Sequence, residues 1–212
     1  FLKLSRRFSR VRTAHLSISE ITFIAIWYKC SHFTNFKAFF TWLKEDKSRL
    51  FKYLPCYQRM IHLINMHELA LHALHVALMK GQGTQHLWLD STTLPVCKNQ
   101  RIQRHKSLAK IASRGKSSMG WFYCCKLHIV MNRFGKIVCS ALSNGHVADI
   151  KMVEQLVEGF EARLYADRGY ISQDLKSKLK DQGIDLITYH RKNMRSVELS
   201  APDEYHLIQR NK

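Results

Sequence analysis

The chain has 212 residues, of which 46% are hydrophobic, and its 34 basic and 16 acidic side chains give it a formal charge of +18. This hydrophobic content excludes a disordered polycation, and the length suits one domain of about 100 to 200 residues with a smaller addition. No apolar run approaches the roughly 18 to 20 residues that span a bilayer. We therefore expect a soluble, cytoplasmic protein without a membrane segment.

The first part of the chain is predicted to be helical. Ser17 and Glu20 form a capping box, in which the hydroxyl and the carboxylate bind amide groups at the start of a helix, and Ile21 and Ile24 then recur at helical spacing. Further aromatic side chains at helical spacing are interpreted as core residues rather than as a platform on which nucleobases stack. They are Trp27, Phe36, Phe39, Phe40 and Trp42.

Three more helices are predicted in this part. One follows Thr34 as its cap, and a shorter one covers Ser48 to Leu54 and ends at Pro55. A long helix is predicted over about residues 57–80, and it ends at the glycine-rich residues 81–83.

The hydrophobic period changes after these glycines, and strands are predicted. Leu87 to Thr92 is a short apolar strand. Trp121 to Met131 alternates as a second strand, and the turn residues 132–135 lead into a third strand over Lys136 to Leu142. The second and third strands therefore form a hairpin.

Helices and strands alternate in the last third of the chain. Asp149 is predicted to cap a helix, Arg163 to Ala166 forms a strand, and Ser172 caps a second helix. Ile184 to Tyr189 forms the last strand, and after His190 the sequence predicts an irregular, polar segment. This order of elements indicates an α/β fold in which helices cover a mixed sheet.

The basic residues are unevenly distributed. No carboxylate occurs between Asp90 and Asp149, whereas this interval contains ten Lys or Arg residues. A surplus of this kind is typical of a protein that binds a polyanion, and nucleic acid is favoured over an anionic membrane as that partner. A solvated basic loop without a special role stays open as an alternative. The candidate DNA-binding residues are Lys98, Arg101, Arg104, Lys106, Lys110, Arg114 and Lys116.

Two aspartates follow apolar strand sequence. Asp90 interrupts one predicted strand, where burial of a bare charge would cost several kcal/mol, and Asp167 ends another. If the two strands are neighbours, the carboxylates meet, and a divalent cation between them would remove their repulsion. The alternatives are that Asp90 is a helix cap and that Asp167 pairs with Arg168.

An ordered set of segments resembles bacterial insertion-sequence transposases of the DDE class. The segments are Leu87 to Thr93, Arg114 to Ser118, Gly120 to Tyr123, Lys126 to His128, Asn144 to Asp149, and Tyr165 to Tyr170. Leu16 to Leu54 also resembles the helical N-terminal region of these enzymes, so the resemblance covers most of the chain. Each segment alone is a weak signal, but the ordered set is specific.

The resemblance implies a ribonuclease-H-like catalytic domain over residues 83–212, preceded by a helical N-terminal region over residues 1–82 for DNA binding or assembly. Asp90 and Asp167 would be the first two acids of a triad that holds two Mg²⁺ ions, for which Mn²⁺ can substitute. The implied partners are double-stranded DNA, as terminal inverted repeats and target, and further copies of the chain when it acts on DNA. The protein would then lie on the nucleoid.

The third acid of the triad is not assigned. In this class it is a Glu on a helix after the last strand, and it follows sequence like that of Tyr205 to Lys212. Glu198 and Glu204 lie beside Pro202 in the segment that is predicted to be irregular, so neither fits this position. The sequence leads us to expect a truncated copy with impaired catalysis.

Two other functions stay open at this point. The protein could be a catalytically inactive, basic DNA-binding remnant, or a ribonuclease-H-like nuclease with another biological use. Other candidate residues give weaker signals. His67 and Glu68 lack the His-Glu-x-x-His spacing of a zinc protease, and His72 and His75 alone are too few for a metal site. His128 either approaches a phosphate or is a half-buried structural residue.

Overall fold

The computed structural model describes residues 16–105, 108–117, 120–189 and 198–209, with the side chains of residues 116 and 117 left out. The chain divides into two compact units, of which the first ends at Leu78 and the second begins at Met79. Within the described residues, no helix is both long and apolar enough to cross a membrane.

The described part of the first unit is helical. Its helices are α1 (Ile18–Cys30), α2 (Phe36–Asp46), α3 (Tyr57–Met66) and α4 (Glu68–Met79), with a 3-10 turn at Ser48–Leu50 after α2. The predicted core is confirmed, because Phe39 and Phe40 are buried and Trp27, Phe36 and Trp42 pack against them.

The predicted start of α1 is confirmed, whereas the predicted start of α2 is wrong by one residue. Ser17 and Glu20 form the capping box of α1. The cap of α2 is Asn35 rather than Thr34, because Asn35 has the extended backbone and its side chain accepts the N–H of Ala38 at 2.9 Å. Both residue types can cap a helix, so composition alone does not choose between neighbours.

The single long helix predicted over residues 57–80 is wrong. α3 ends at Met66, and α4 begins at Glu68 after a break at His67. The N–H of His67 donates to the carbonyls of both Leu63 and Ile64, as is common where a helix ends. The apolar pattern continues across the break, so it gives no sign of it.

The second unit contains a six-stranded mixed sheet. Its strands are β1 (His86–Pro95), β2 (Ser113–Ser117), β3 (Gly120–Asn132), β4 (Ile137–Asn144), β5 (Ala162–Ala166) and β6 (Ile184–Thr188). β3 is antiparallel to β1, β2 and β4, whereas β1, β5 and β6 are parallel to one another. The predicted hairpin and the last two strands are confirmed. β2 was not predicted, because its polar sequence does not alternate.

Among the described residues of this unit, the α-helices that accompany the sheet are α5 (Val153–Val157), α6 (Gln173–Asp181) and α7 (Ala201–Gln209). Ser172 caps α6 as predicted, because its hydroxyl accepts a hydrogen bond from the N–H of Leu175. The prediction that Asp149 caps a helix is wrong, because Asp149 lies within a 3-10 turn and its carboxylate accepts a hydrogen bond from Lys126 instead.

The strands β1 and β5 present two different faces. On one, which we call the apolar face, Leu87 and Leu89 of β1 and Leu164 and Ala166 of β5 are buried in a cluster that includes residues of α5 and α6. The other face, which we call the aromatic face, carries Trp88 of β1, and its ring lies beside the ring of Tyr165 of β5. Side chains alternate along a strand, so each strand contributes to both faces.

The helix α7 packs on the aromatic face, where Leu207 is buried with Tyr165 and Ile187. The prediction of an irregular segment here is therefore wrong. Pro202 lies in the first turn of α7, where proline is tolerated, and Ser200 accepts the N–H of Asp203 as a cap would. The α/β class, with a mixed sheet, flanking helices and a helical N-terminal region, is confirmed.

Candidate active site

Asp90 and Asp167 occupy equivalent positions on neighbouring parallel strands. The last residue pair between β1 and β5 is Trp88 with Tyr165, and each aspartate follows its member of that pair by two residues, Asp90 within β1 and Asp167 directly after the end of β5. Adjacent strands are about 4.8 Å apart, and residues two apart point to the same face. The fold thus brings both residues to one end of the aromatic face.

Both carboxylates are exposed, so the expectation that Asp90 is buried among apolar residues is wrong. The buried positions of β1 are Leu87 and Leu89, which point to the opposite face. Each aspartate accepts the N–H of the residue that follows it, at 2.8 Å for Ser91 and 2.7 Å for Arg168. These local bonds restrict the orientation of the two carboxylates.

This arrangement suits a divalent cation. Carboxylate oxygens are ligands of both Mg²⁺ and Mn²⁺, and two carboxylates on adjacent strands can share one ion. Across the part of the chain that the structure describes, no group of three His, Cys, Asp or Glu residues could hold a metal. The site as described therefore provides two ligands.

The helix α7 runs along the aromatic face toward these aspartates. Asp203, in its first turn, contacts Arg163 near the beginning of β5. One turn later the carbonyl of His206 accepts the indole N–H of Trp88 at 2.9 Å. Gln209, at the end of α7, lines the same cleft as Asp90. The helix thus points its C-terminal end at the site.

A cleft of about 420 Å³ adjoins Asp90. Its walls come from β1, from the turn between β3 and β4, and from α7, and the lining includes Trp88, Asp90, Met131, Arg133, Tyr205 and Gln209. Arg133 is exposed here, so the cleft combines one carboxylate with one guanidinium. Such a lining can receive a phosphate group once a cation balances the acid.

Neither of the two downstream glutamates reaches the aspartates. Glu204 lies beside Asp203 at the start of α7, and Arg163, the partner of Asp203, precedes Asp167 on the strand by about 13 Å. Glu198 lines a different cleft, which also includes Lys176. Glu204 lies on a helix, contrary to the prediction, but at the wrong end of it.

Comparison with known proteins identifies the family. Residues 80–212 match the family described as the transposase DDE domain. The chain belongs to this transposase DDE domain family. No curated protein matches the sequence.

A solved structure is also similar to this DDE domain protein. It is the cryo-EM structure of the piggyBac transposase synaptic complex with hairpin DNA, which matches at 14% sequence identity with a TM-score of 0.48. The match covers 92% of this chain and 47% of that chain, so the present chain spans about half the length of the piggyBac protein.

Asp203 anchors α7 to the sheet of the DDE domain. Its carboxylate accepts hydrogen bonds from the hydroxyls of Tyr165 and Ser200, and it pairs with Arg163 at 3.0 Å. Partial burial opposes ionisation of Asp203, but the two hydroxyls and the guanidinium outweigh it and lower the pKa of its carboxyl. Burial, followed by the bond to Asp203, raises the pKa of Tyr165.

Two histidines stack beside this anchor. The rings of His86 and His206 are 4.3 Å apart, and Nδ1 of His86 lies 3.1 Å from the hydroxyl of Tyr165. Burial lowers the pKa of His86, and the nearby His206 and Arg163 lower it further. The sequence analysis missed this group because it did not predict α7.

The described candidate DNA-binding residues of the DDE domain are exposed. Lys98 precedes a 3-10 turn, Asn99–Arg104, on which Arg101 and Arg104 are three residues apart and therefore share a face. Lys110 and Arg114 are also exposed. Lys106 lies outside the described residues, as does the side chain of Lys116. The chain reaches this basic segment about 17 Å beyond Asp90, at the end of β1.

His128 is a structural residue of the DDE domain, so the alternative in which it approaches a phosphate is wrong. Its side chain is fully buried, and Nε2 lies 2.8 Å from the hydroxyl of Ser143. On the same strand, Lys126 donates to the carbonyl of Val147 and to Asp149, and thereby holds the loop after β4. His72 and His75 are exposed on α4 and belong to no described three-residue metal group.

The loop after β4 contains the Asn144 to Asp149 segment on which the resemblance partly rests. A Cβ atom at Gly145 would lie 2.7 Å from the carbonyl oxygen of Cys124 and 2.9 Å from that of Ser113, so only glycine fits there. The hydroxyl of Ser113 accepts the N–H of His146 at 3.0 Å. This segment therefore fixes a close contact between β2 and the loop.

Proposed function

We propose that this protein is a DNA transposase of an insertion sequence, which cuts and joins the ends of its own element by metal-dependent phosphoryl transfer. One observation carries the proposal: Asp90 and Asp167 are both exposed, and each follows by two residues the last pair between the parallel neighbours β1 and β5. Membership of the transposase DDE domain family supports this use of the pair.

Asp90 and Asp167 would hold Mg²⁺, or Mn²⁺ in its place, between β1 and β5. When bound, the cations lower the pKa of the attacking water or DNA 3′ hydroxyl and stabilise the charge on the leaving oxygen. The attacking oxygen forms a new P–O bond as the bond to the leaving DNA oxygen breaks, so no covalent bond to the protein is needed. The aspartates position the reacting groups, and the hydrogen bonds from Ser91 and Arg168 fix their orientation.

The basic segment would hold the DNA backbone. Lys98, Arg101, Arg104, Lys110 and Arg114 present cations to solvent, and in the sequence no carboxylate lies between Asp90 and Asp149. Such residues bind phosphates with release of counterions, so we expect affinity for double-stranded DNA to fall steeply with salt. We propose that two or more copies act together on the terminal inverted repeats and on the target.

We assign no described residue as the third carboxylate of the triad, although α7 approaches the site. This helix runs along the aromatic face and ends beside Asp90, as the position of Gln209 in the same cleft indicates.

A second candidate is a catalytically inactive DNA-binding protein. This candidate is favoured because the described residues include only two acids at the site and no group of three residues that could hold a metal ion. The basic segment would then bind DNA without any role for the aspartates.

Metal binding by the whole chain separates the two candidates. Mn²⁺ titration followed by electron paramagnetic resonance should show bound metal in the wild type and little in Asp90→Asn or Asp167→Asn. Asp185→Asn is the matched control, because Asp185 is also an exposed strand aspartate but lies on β6, away from the pair. DNA binding, measured in parallel, should persist in all three variants.

Three results would contradict the enzymatic proposal. Equal Mn²⁺ binding by all variants would remove the aspartates as ligands. DNA binding by a wild type that binds no Mn²⁺ would favour the inactive protein instead. Strand cleavage should also be lost in either Asp→Asn variant, and retained cleavage in both would show that the acids are not needed.

A further inference from the structure

The strands β2 and β3 form an arm that extends beyond β1. β3 pairs with β2 over its first five residues, whereas its pairing with β1 begins only at Cys124. Trp121 lies on this arm, and 63% of its surface is exposed. An indole of this size on a projecting hairpin can be reached by a ligand from solvent.

The segment after β1 folds back along this arm. The N–H of Val96 donates to the carbonyl of Tyr123 at 3.0 Å, and the side-chain amide of Asn99 donates to the carbonyl of Trp121 at 3.0 Å. An open cleft of about 490 Å³ lies between segment and arm. We call it the Trp121 cleft; its lining includes Pro95, Lys98, Asn99, Gln100, Trp121 and Tyr123.

The chemistry of the Trp121 cleft matches a nucleotide. The indole offers a flat surface for a nucleobase, the ammonium of Lys98 can bind the adjoining phosphate, and the amide of Gln100 can bind the edge of a base. Arg101 and Arg104 lie on the same 3-10 turn as Gln100 and are exposed. An aromatic surface with flanking cations is typical of a site for single-stranded nucleic acid.

We infer that the Trp121 cleft binds an unpaired base of the DNA on which the protein acts, with Trp121 as the stacking surface. The inference rests on the proposed function, since it requires DNA as the partner. The base must be unpaired, because neighbours in a duplex already cover both faces of each base. Fully paired DNA would contact only the cations.

A matched control is available at the turn between β3 and β4. Phe134 is also 63% exposed, but the guanidinium of Arg133 lies over its ring at 4.7 Å from the centroid. Phe134 is not among the residues that line the Trp121 cleft. Phe134→Ala therefore removes a similar exposed aromatic surface that lies outside the Trp121 cleft.

The experiment compares two fluorescently labelled DNAs by anisotropy at one salt concentration: a blunt duplex, and the same duplex with a short unpaired tail. The full chain should prefer the tailed DNA. Trp121→Ala should lower affinity for the tailed DNA by about 10-fold, as expected for loss of one base–aromatic stack, and should leave the blunt duplex nearly unchanged. Trp121→Phe should keep most of the preference, and Phe134→Ala all of it.

A second readout follows the indole itself. Tailed DNA should quench part of the tryptophan emission, and this quenching should be lost in Trp121→Phe, which keeps an aromatic ring at the position. Circular dichroism checks that the variants are folded.

The outcomes separate the inference from the proposed function. The inference would be overturned if the wild type bound both DNAs without preference for the tail. It would also be overturned if Trp121→Ala lowered affinity for both DNAs equally. In either case DNA binding itself, and with it the proposed function, would stand. If the wild type binds neither DNA, the proposed function fails first.

Discussion

The two faces of β1 and β5 differ in what holds them together. On the apolar face, Leu87, Leu89 and Leu164 are buried with residues of α5 and α6. On the aromatic face, the contacts to α7 combine rings with polar bonds, as between Trp88 and the carbonyl of His206. The same strands therefore provide a closed core on one side and a partly open, polar surface on the other.

The difference between the two faces explains where the candidate site lies. Each strand contributes residues to both faces by alternation, so the core can fix the strands in register while the opposite face stays accessible. Asp90 and Asp167 follow Trp88 and Tyr165 on the aromatic face and are exposed there. Carboxylates in that position do not need to be buried, so the fold does not depend on their neutralisation.

The largest expected effect is on the apolar face. Leu164 is fully buried at the centre of its cluster, so Leu164→Ala should lower the free energy of unfolding by about 3 kcal/mol through lost burial and a cavity. Urea denaturation measures the loss. Thr92→Ala, at an exposed position of β1, should change it by less than about 0.5 kcal/mol. Similar losses in both variants would contradict the distinction between a closed core and an open surface.

A smaller effect is expected where α7 is anchored on the aromatic face. Asp203→Ala removes the acceptor of Tyr165, Ser200 and Arg163, and it should cost about 2 kcal/mol. Hydrogen exchange should show faster exchange in α7 than in α6, because the loss is local. Glu204→Gln, one residue away and exposed, serves as the control. Uniformly faster exchange in both helices would show that α7 is not a separate unit.

The smallest expected effect concerns pH and His128. Burial lowers the pKa of His128 in the folded protein, so the unfolded chain binds the proton first as the pH falls below about 6.5. The free energy of unfolding should therefore keep its full value above that pH and decrease as the pH falls below it. Denaturation curves at several pH values should show a shallower decrease in His128→Asn.

The exposed His72 provides the control for this pH dependence. His72→Asn should keep the wild-type dependence, because this side chain is exposed on α4. The pKa of His86 is lowered in the folded protein, like that of His128, so a smaller decrease of stability at low pH should remain in His128→Asn. An unchanged pH dependence in His128→Asn would contradict the role assigned to burial.

Much of the fold could be predicted because the relevant signals are local. The capping box at Ser17 and the cap at Ser172 act over three residues, and the structure contains both. The long apolar stretch of β3, followed by the turn residues 132–135, also marks its strand and hairpin in the local sequence. By contrast, β2 is polar, and α7 begins with a proline that is also typical of a turn, so these two elements could not be recognised from local sequence.

The candidate site was only partly predictable, for a related reason. Asp90 and Asp167 could be identified by their place in an ordered set of segments, but their exposure could not, since it depends on which face is covered. The role of Asp203 required α7, and that of Trp121 required the segment after β1 to fold back on the arm. These contacts join residues that are far apart in the sequence.

The sequence by itself determined the class of the fold, the basic segment and the two aspartates, because composition, periodicity and motif order are properties of the linear chain. Only the tertiary structure decided that the aspartates follow paired positions of neighbouring parallel strands, that α7 runs toward them, and that Trp121 lies in a cleft beside Lys98. The physical reason is that strand pairing and packing join distant residues, and no local pattern specifies which partners meet.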